Sequence, residues 1–204
     1  MAELWPNVYV LAMQRAIIVH GWASNPEDGW FPWLKEKLEA QDIHVDIPAM
    51  PHPMIPTITD WVSALAKAAG QIDHETIFVG HSIGCQTILR YLQTIDTPIK
   101  GAVFVAGFIK DLVLDPDEPK EIATPWLETP IQFEKLRAII PRSIAIFSDN
   151  DRFVPLKENS GSFSNHLGST IVVDHGKKHF AGDQGITELP SVLDAVMKLF
   201  HDKS

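Results

Sequence analysis

The sequence predicts an α/β protein in which a parallel sheet is covered by helices on both faces. Short apolar runs alternate along the chain with segments whose apolar residues recur at helical spacing. The centres of several runs carry no polar residue, which is typical of strands buried on both faces. The predicted strands are residues 15–20, 43–47, 77–79, 101–108, 143–148 and 169–173. The predicted helices lie near residues 31–40, 57–68, 84–92, 131–139 and 189–201, with a short segment after residue 156.

The elements of the first half rest on local patterns. The first strand contains the buried run A-I-I-V and ends in H-G-W, whereas the second, I-H-V-D-I, alternates. Between them, Leu34 and Leu38 share one face of a predicted helix. Prolines at positions 48, 51, 53 and 56 indicate an extended loop, and Thr57 with Asp60 fits a capping box at the next helix.

The second half continues the alternation. Residues 101–108 and 143–148 are apolar runs that read as strands, and the last helix places Leu193, Val196 and Phe200 on its inner face. Residues 109–142 hold many acids and prolines and only one evident helix. We therefore expect no large cap domain, and no apolar cover from residues 109–130.

Length and composition fix the class of protein. A chain of 204 residues with 45% hydrophobic and 21% charged residues is typical of one globular domain. The formal charge of −9 argues against nucleic acid or an anionic membrane as a partner. The single cysteine, Cys85, cannot form an intrachain disulfide, so we expect a cytoplasmic protein. Residues 1–13 are predicted to be an N-terminal extension, and residues 14–204 the domain; the oligomeric state is left open.

The stretch T-I-F-V-G-H-S-I-G has the layout of a nucleophile elbow. A buried strand runs into G-H-S-I-G, a helix follows, and Ser82 stands at the apex. Gly80 and Gly84 suit this turn because a Cβ at either position would collide with the opposite arm. Ser82 is therefore the predicted nucleophile.

A serine nucleophile needs a base and an acid that orients the base, and this fold supplies them in the order Ser, Asp, His. After the fifth strand the candidates are Asp149 and Asp151. We favour Asp151, because D-x-x-V-P forms a turn that aims its first residue over the sheet. Asp149 remains an alternative, as does Asp111 after the fourth strand.

After the sixth strand, His175 and His179 compete for the role of base. We favour His179, which lies further along the loop and can reach forward to Ser82. For the oxyanion we expect the backbone N–H groups of Ile83 and Trp22.

Other residues are assigned to binding or excluded. Substrate-binding candidates are Trp22, Phe108, Phe153 and Phe180. Cys85 faces the packed side of its helix, so we reject it as a nucleophile. No metal site or cofactor is expected, because H-E-x-x-H and paired-cysteine spacings are missing from the sequence.

The blocks A-I-I-V-H-G-W, W-F-P-W-L, V-G-H-S-I-G, D-N-D-R-F-V-P and H-F-A-G-D-Q-G resemble the small α/β-hydrolases of the retinoblastoma-binding-protein-nine type. The resemblance covers about residues 14–200. It implies a single α/β-hydrolase domain with about six parallel strands in the order 2-1-3-4-5-6, using Ser82, Asp151 and His179. One departure stands out: the family has glycine directly before the catalytic histidine, and this chain has Lys178, with Gly176 the nearest glycine.

Together these features predict a serine hydrolase, carboxylesterase-like, that cleaves an ester, thioester or related acyl bond of a small molecule through an acyl-enzyme; peptidase-like activity is also possible. Because residues 109–130 offer no evident apolar surface, we expect short acyl chains to be preferred. The alternative is a hydrolase fold retained as a protein-interaction module, for which the tryptophan-rich residues 22–33 would serve.

Overall fold

A computed structural model describes residues 13–114 and 119–202. The predicted N-terminal extension lies outside the described residues, apart from Met13. None of the described helices is long and apolar enough to cross a membrane. In chain order the elements are β1 (Arg15–Val19), α1 (Phe31–Glu39), β2 (His44–Asp46), α2 (Ile58–Ala69), β3 (Thr76–His81), α3 (Ile83–Leu92), β4 (Gly101–Val105), α4 (Lys120–Glu128), α5 (Phe133–Ile139), β5 (Ser143–Ser148), α6 (Leu156–Leu167), β6 (Thr170–Asp174), a 3₁₀ turn (Gly182–Gln184) and α7 (Pro190–His201).

The six strands form one parallel sheet in the order β2-β1-β3-β4-β5-β6, which confirms the predicted topology. β1 and β3 pair in register from Arg15 opposite Thr76 to Val19 opposite Gly80. All strands therefore end at the same edge, where function gathers in open α/β sheets.

Each face of the sheet carries its own apolar core. Within β1, Ile17 and Val19 belong to one core, whereas Ala16 and Ile18 belong to the other. This alternation follows from the two-residue period of a strand and explains why the whole run is apolar. Helices α2 to α6 contribute to the first core, and α1 and α7 contribute to the second.

The predicted start of α2 is observed. Thr57 is the N-cap, and its hydroxyl oxygen accepts from the backbone N–H of Asp60 at 3.2 Å. The same hydroxyl donates to the Asp60 carboxylate at 2.8 Å. This pairing satisfies one of the free N–H groups of the first turn.

Two elements differ from the prediction. The fourth strand ends at Val105 rather than at residue 108, because Ala106 turns the backbone with a φ of +46°. Helix α4 was not predicted, since Pro125 and the neighbouring acids argue against a helix. Tertiary packing stabilises it instead: Trp126 is buried against Trp61, with ring centroids 6.2 Å apart.

Candidate active site

Ser82 occupies a sharp turn between β3 and α3. Its backbone φ of +53° and ψ of −120° are unusual for a residue with a side chain. A Cβ on Gly80 would lie 2.8 Å from the backbone nitrogen of Cys85, and one on Gly84 would overlap the carbonyl oxygens of Val19 and His20. Only glycine fits at these two positions, so the G-x-S-x-G spacing is required by the turn itself.

Ser82, His179 and Asp151 form a continuous hydrogen-bonded chain at the carboxyl edge of the sheet. The Ser82 hydroxyl and His179 Nε2 are 3.0 Å apart, and His179 Nδ1 lies 2.8 Å from Asp151 Oδ2. Since a carboxylate only accepts, Nδ1 carries the proton and Nε2 accepts from the serine. The other carboxylate oxygen of Asp151 accepts from the backbone N–H groups of Phe153 and Val154, which fixes its direction.

The two alternative residues pair with each other instead. His175 Nδ1 lies 2.7 Å from Asp149 Oδ2, and both side chains are largely exposed. The hydrogen bond to Asp149 raises the pKa of His175, and the same bond lowers the pKa of Asp149. This exposed pair is separate from the hydrogen bonds that join Ser82, His179 and Asp151. The backbone carbonyl of Asp111 accepts from Asn159, and none of the hydrogen bonds described for His179 involves Asp111.

Cys85 is unsuited to nucleophilic chemistry. It is fully buried, and its thiol donates to the Val105 carbonyl at 3.6 Å. Burial raises the pKa of the thiol well above its ordinary value, so the reactive thiolate is not populated near neutral pH.

The loop after β1 lies directly against Ser82. A Cβ on Gly21 would be 3.4 Å from the Ser82 Cβ, so the Gly21 backbone closely approaches Ser82. His20 is buried, and its Nε2 accepts from the Met50 N–H at 3.0 Å. Its Nδ1–H therefore donates to the Gly21 carbonyl at 2.9 Å. Because C=O and N–H point in opposite directions across a trans peptide, this bond turns the Trp22 N–H away from His20.

His179 lies between two residues with left-handed backbone geometry. Lys178 has a φ of +52° and Phe180 a φ of +57°. Glycine adopts such a conformation most easily, and in this chain Lys178 adopts it in place of a glycine. Non-glycine residues in this region cost free energy and persist only where their surroundings hold them.

Two buried ring N–H groups hold this loop. Because a carbonyl only accepts, His81 Nε2–H donates to the His179 carbonyl, at 2.8 Å, and Trp30 Nε1–H donates to the Phe180 carbonyl at 3.1 Å. Gln184 Oε1 accepts from the His179 N–H at 2.8 Å. Both the N–H and the carbonyl of His179 are therefore held by hydrogen bonds.

His81 is neutral in this position. Burial, together with the nearby His179, lowers its pKa to about 3. Sequence reasoning gave no role to His81 or His20 and counted Trp30 only within the tryptophan-rich residues 22–33, although all three stand beside recognised motifs. Apart from the bond of His20 to the adjacent Gly21, their partners lie 30 residues away for His20, 98 for His81 and 150 for Trp30, and no local pattern reveals them.

Ser82 opens into a cleft of about 760 Å³. All four predicted substrate-binding residues line it; Trp22 and Phe153 are partly exposed, whereas Phe108 and Phe180 are buried in its floor. The expectation that residues 109–130 offer no apolar surface is wrong, because apolar residues of this segment also line the cleft: Leu112, Val113, Leu114, Ile122 and Ala123. Among the described residues, no group of three or more His, Cys, Asp or Glu side chains is arranged to hold a metal ion.

Comparison with known proteins shows the family to which this chain belongs. The model of the serine hydrolase family matches residues 16–198. The YdeN protein of Bacillus subtilis is 31% identical over 194 residues, which cover 92% of this chain and 96% of YdeN. Serine hydrolase RBBP9 of Rattus norvegicus is 28% identical over 153 residues, covering 71% of this chain and 75% of RBBP9.

Solved structures show the same fold. The crystal structure of the B. subtilis ydeN gene product superposes with a TM-score of 0.83 at 27% identity, covering 93% of this chain and 100% of that chain. Est1E from Butyrivibrio proteoclasticus superposes with a TM-score of 0.68 over 90% of this chain and 85% of its own, but at 17% identity it supports the fold alone. The elbow, the sheet order and the matched length lead to one assignment: this chain belongs to the serine hydrolase family and is a small hydrolase of the RBBP9 and YdeN type.

Proposed function

We propose that this protein hydrolyses carboxylic esters or thioesters of small molecules through an acyl-enzyme on Ser82. The observation that carries the proposal is the continuous hydrogen-bonded chain from Ser82 through His179 to Asp151, with distances of 3.0 and 2.8 Å. A serine hydroxyl becomes a useful nucleophile when an oriented base can take its proton.

In the proposed mechanism, Ser82 Oγ attacks the acyl carbon while its proton passes to His179 Nε2. The backbone N–H groups of Trp22 and Ile83 stabilise the oxyanion, the first oriented by the His20 bond to Gly21 and the second at the start of α3. His179 then returns the proton to the leaving group, which departs and leaves Ser82 acylated. Water, deprotonated by His179, completes hydrolysis and restores the serine.

Burial of Asp151 supports the same assignment of roles. Its side chain is only 2% exposed and that of His179 is 13% exposed, so their interaction is shielded from water. The alternative Asp149–His175 pair is exposed and has no contact with Ser82 among its hydrogen bonds.

The test is covalent labelling with a fluorophosphonate probe, followed by hydrolysis of p-nitrophenyl esters. We expect Ser82→Ala to abolish labelling and turnover while the thermal midpoint stays close to that of the parent. His179→Ala should slow both by roughly a thousandfold or more, because the base is lost.

His175→Ala is the matched control, since it removes the other histidine of the same loop. It should change labelling by less than about twofold, because an exposed pair contributes little. A parent protein that is inert to the probe would refute the proposal and favour the interaction module. Equal losses in the two histidine variants would refute the role given to His179.

A further inference from the structure

We propose that the α4 side of the cleft is a binding site for an apolar acyl chain of medium length, such as an octanoyl group. This inference rests on the proposed function and names the substrate class that the cleft selects. It reverses the expectation of a short-chain preference, which depended on the absence of apolar surface in residues 109–130.

Exposed apolar side chains are concentrated at this cleft. Within residues 13–114 and 119–202, five large apolar side chains are exposed, and three of them line it: Met54, Ile55 and Val113. They are 65%, 60% and 52% exposed, respectively. Single exposed apolar residues are ordinary, but a group beside a nucleophile indicates a ligand site.

The loop that carries Met54 and Ile55 is held by its backbone. Trp22 Nε1–H donates to the Met54 carbonyl at 3.0 Å, and the Ala23 N–H donates to the Pro53 carbonyl at 2.9 Å. Trp126 Nε1–H of α4 donates to the Pro56 carbonyl at 3.2 Å. These bonds fix the main chain and leave the apolar side chains facing the cleft.

The segment after β4 is fixed in the same way. The Val113 N–H donates to the Phe153 carbonyl at 2.7 Å, and Asn159 donates to the Asp111 carbonyl at 2.8 Å. Arg90 of α3 donates to the Trp126 carbonyl at 2.8 Å, which ties α4 to the domain. The main chain at Val113 and at Trp126 is therefore fixed before an acyl chain binds, which lowers the entropy cost of binding at these positions.

A second part of the cleft lining, here called the polar wall, carries polar side chains. The loop after β1 and the loop after His179 meet there, since a Cβ on Gly182 would lie 2.7 Å from the Gly29 nitrogen. Polar side chains of these two loops line the cleft: Ser24, Glu27, Asp28, Asp183, Gln184 and Thr187.

The proposed mechanism indicates where the leaving group and the acyl group of the ester bind in the cleft. His179 has to protonate the leaving group, so the leaving group lies on the side of the loop that carries His179. That loop continues into the polar wall. We therefore place the leaving group on the polar wall and the acyl group against the apolar residues Val113 and Ile122 and the loop that carries Ile55.

The size of the effect follows from apolar burial. Each methylene that is half to fully buried should raise kcat/KM about two- to fourfold. We therefore expect kcat/KM for p-nitrophenyl octanoate to exceed that for the butyrate by at least about tenfold, measured below the concentration at which micelles form.

Two variants of the wall test its location, with one matched control. Val113→Ser and Ile55→Ser replace exposed side chains, so the fold should be kept. Each should lower kcat/KM for the octanoate at least about fivefold more than for the acetate. Val173→Ser makes the same valine change on β6, outside the cleft, and should leave both values within about twofold.

The possible results distinguish failure of this inference from failure of the proposed function on which it rests. Hydrolysis with a flat or falling chain-length profile would leave the proposed function standing and overturn the acyl site. Equal losses on acetate and octanoate in the wall variants would also overturn it. If no ester were cleaved and Ser82 resisted the probe, the proposed function would fail and the acyl site with it.

Discussion

Replacing Lys178 by glycine should stabilise the protein, although it removes a side chain. Lys178 has a φ of +52°, its side chain is exposed, and its N–H donates to Asn150 Oδ1 at 2.7 Å. The left-handed conformation costs a non-glycine residue about 1–2 kcal/mol. Glycine avoids that cost but loses about 0.5–1 kcal/mol more conformational entropy on folding. The net gain should be about 0.5–1 kcal/mol, or roughly 1–4 °C in Tm for a chain of this size.

The assay is urea and thermal unfolding of Lys178→Gly beside Lys177→Gly. Both variants remove one positive charge from the same loop, but Lys177 is not among the residues with positive φ. Lys177→Gly should therefore lose about 0.5–1 kcal/mol, and the two variants should differ by about 1–2 kcal/mol. If Lys178→Gly were no more stable than Lys177→Gly, the loop would not hold Lys178 in the left-handed conformation.

Three further predictions concern histidines. His81→Leu removes the donor to the His179 carbonyl and should lower kcat about tenfold or more with little change in KM. His81→Gln keeps an N–H donor and should recover most of this loss. Equal losses of kcat in the two variants would contradict a positioning role for His81. Between pH 6.5 and 3, His81 is protonated in the unfolded chain but not in the folded protein, so the stability of the parent should fall as the pH falls through this range. The stability of His81→Leu should fall less. Urea titrations at several pH values measure the difference. For the Asp149–His175 pair, stability depends on pH in the opposite direction at the histidine. Because the pKa of His175 is raised, its stabilising contribution is present at low pH and is lost as the pH rises through that pKa. Because the pKa of Asp149 is lowered, its contribution is fully present only above the ordinary value of 3.8. The stability difference between the parent and His175→Ala should therefore be largest near pH 5 and shrink by pH 8; a difference independent of pH would contradict it.

The features that sequence predicted well are those fixed by local sterics and periodicity. Buried parallel strands are apolar on both faces, so β1, β3 and β5 were evident as continuous runs. Gly80 and Gly84 are demanded by the turn around Ser82 regardless of the rest of the fold. Because parallel strands end at one edge, the order of strand ends along the chain also placed the candidate acid and base near that serine.

The features that it missed depend on contacts between distant segments. Helix α4 contains Pro125 and would be marginal alone; it forms because Trp126 packs against Trp61 and bonds to the loop before α2. The apolar wall of the cleft was missed with it. The sequence favoured Asp151 and His179 but left Asp149 and His175 open as alternatives, since the pairing of Asp149 with His175 is visible only in three dimensions.

The two rings that hold the His179 loop are neutral, and this neutrality matters for the proposed chemistry. His179 becomes cationic when it takes the Ser82 proton, and the His81 ring centroid lies only 5.0 Å from that of His179. A second positive charge at this distance would oppose the step by about 3 kcal/mol at an effective dielectric constant of about 20. That opposition corresponds to a rate loss of about a hundredfold. A lysine or arginine could donate to the same carbonyl, but each would carry this charge into the site. Burial lowers the pKa of His81 to about 3, and the Trp30 indole never ionises, so both give an N–H donor without the repulsion.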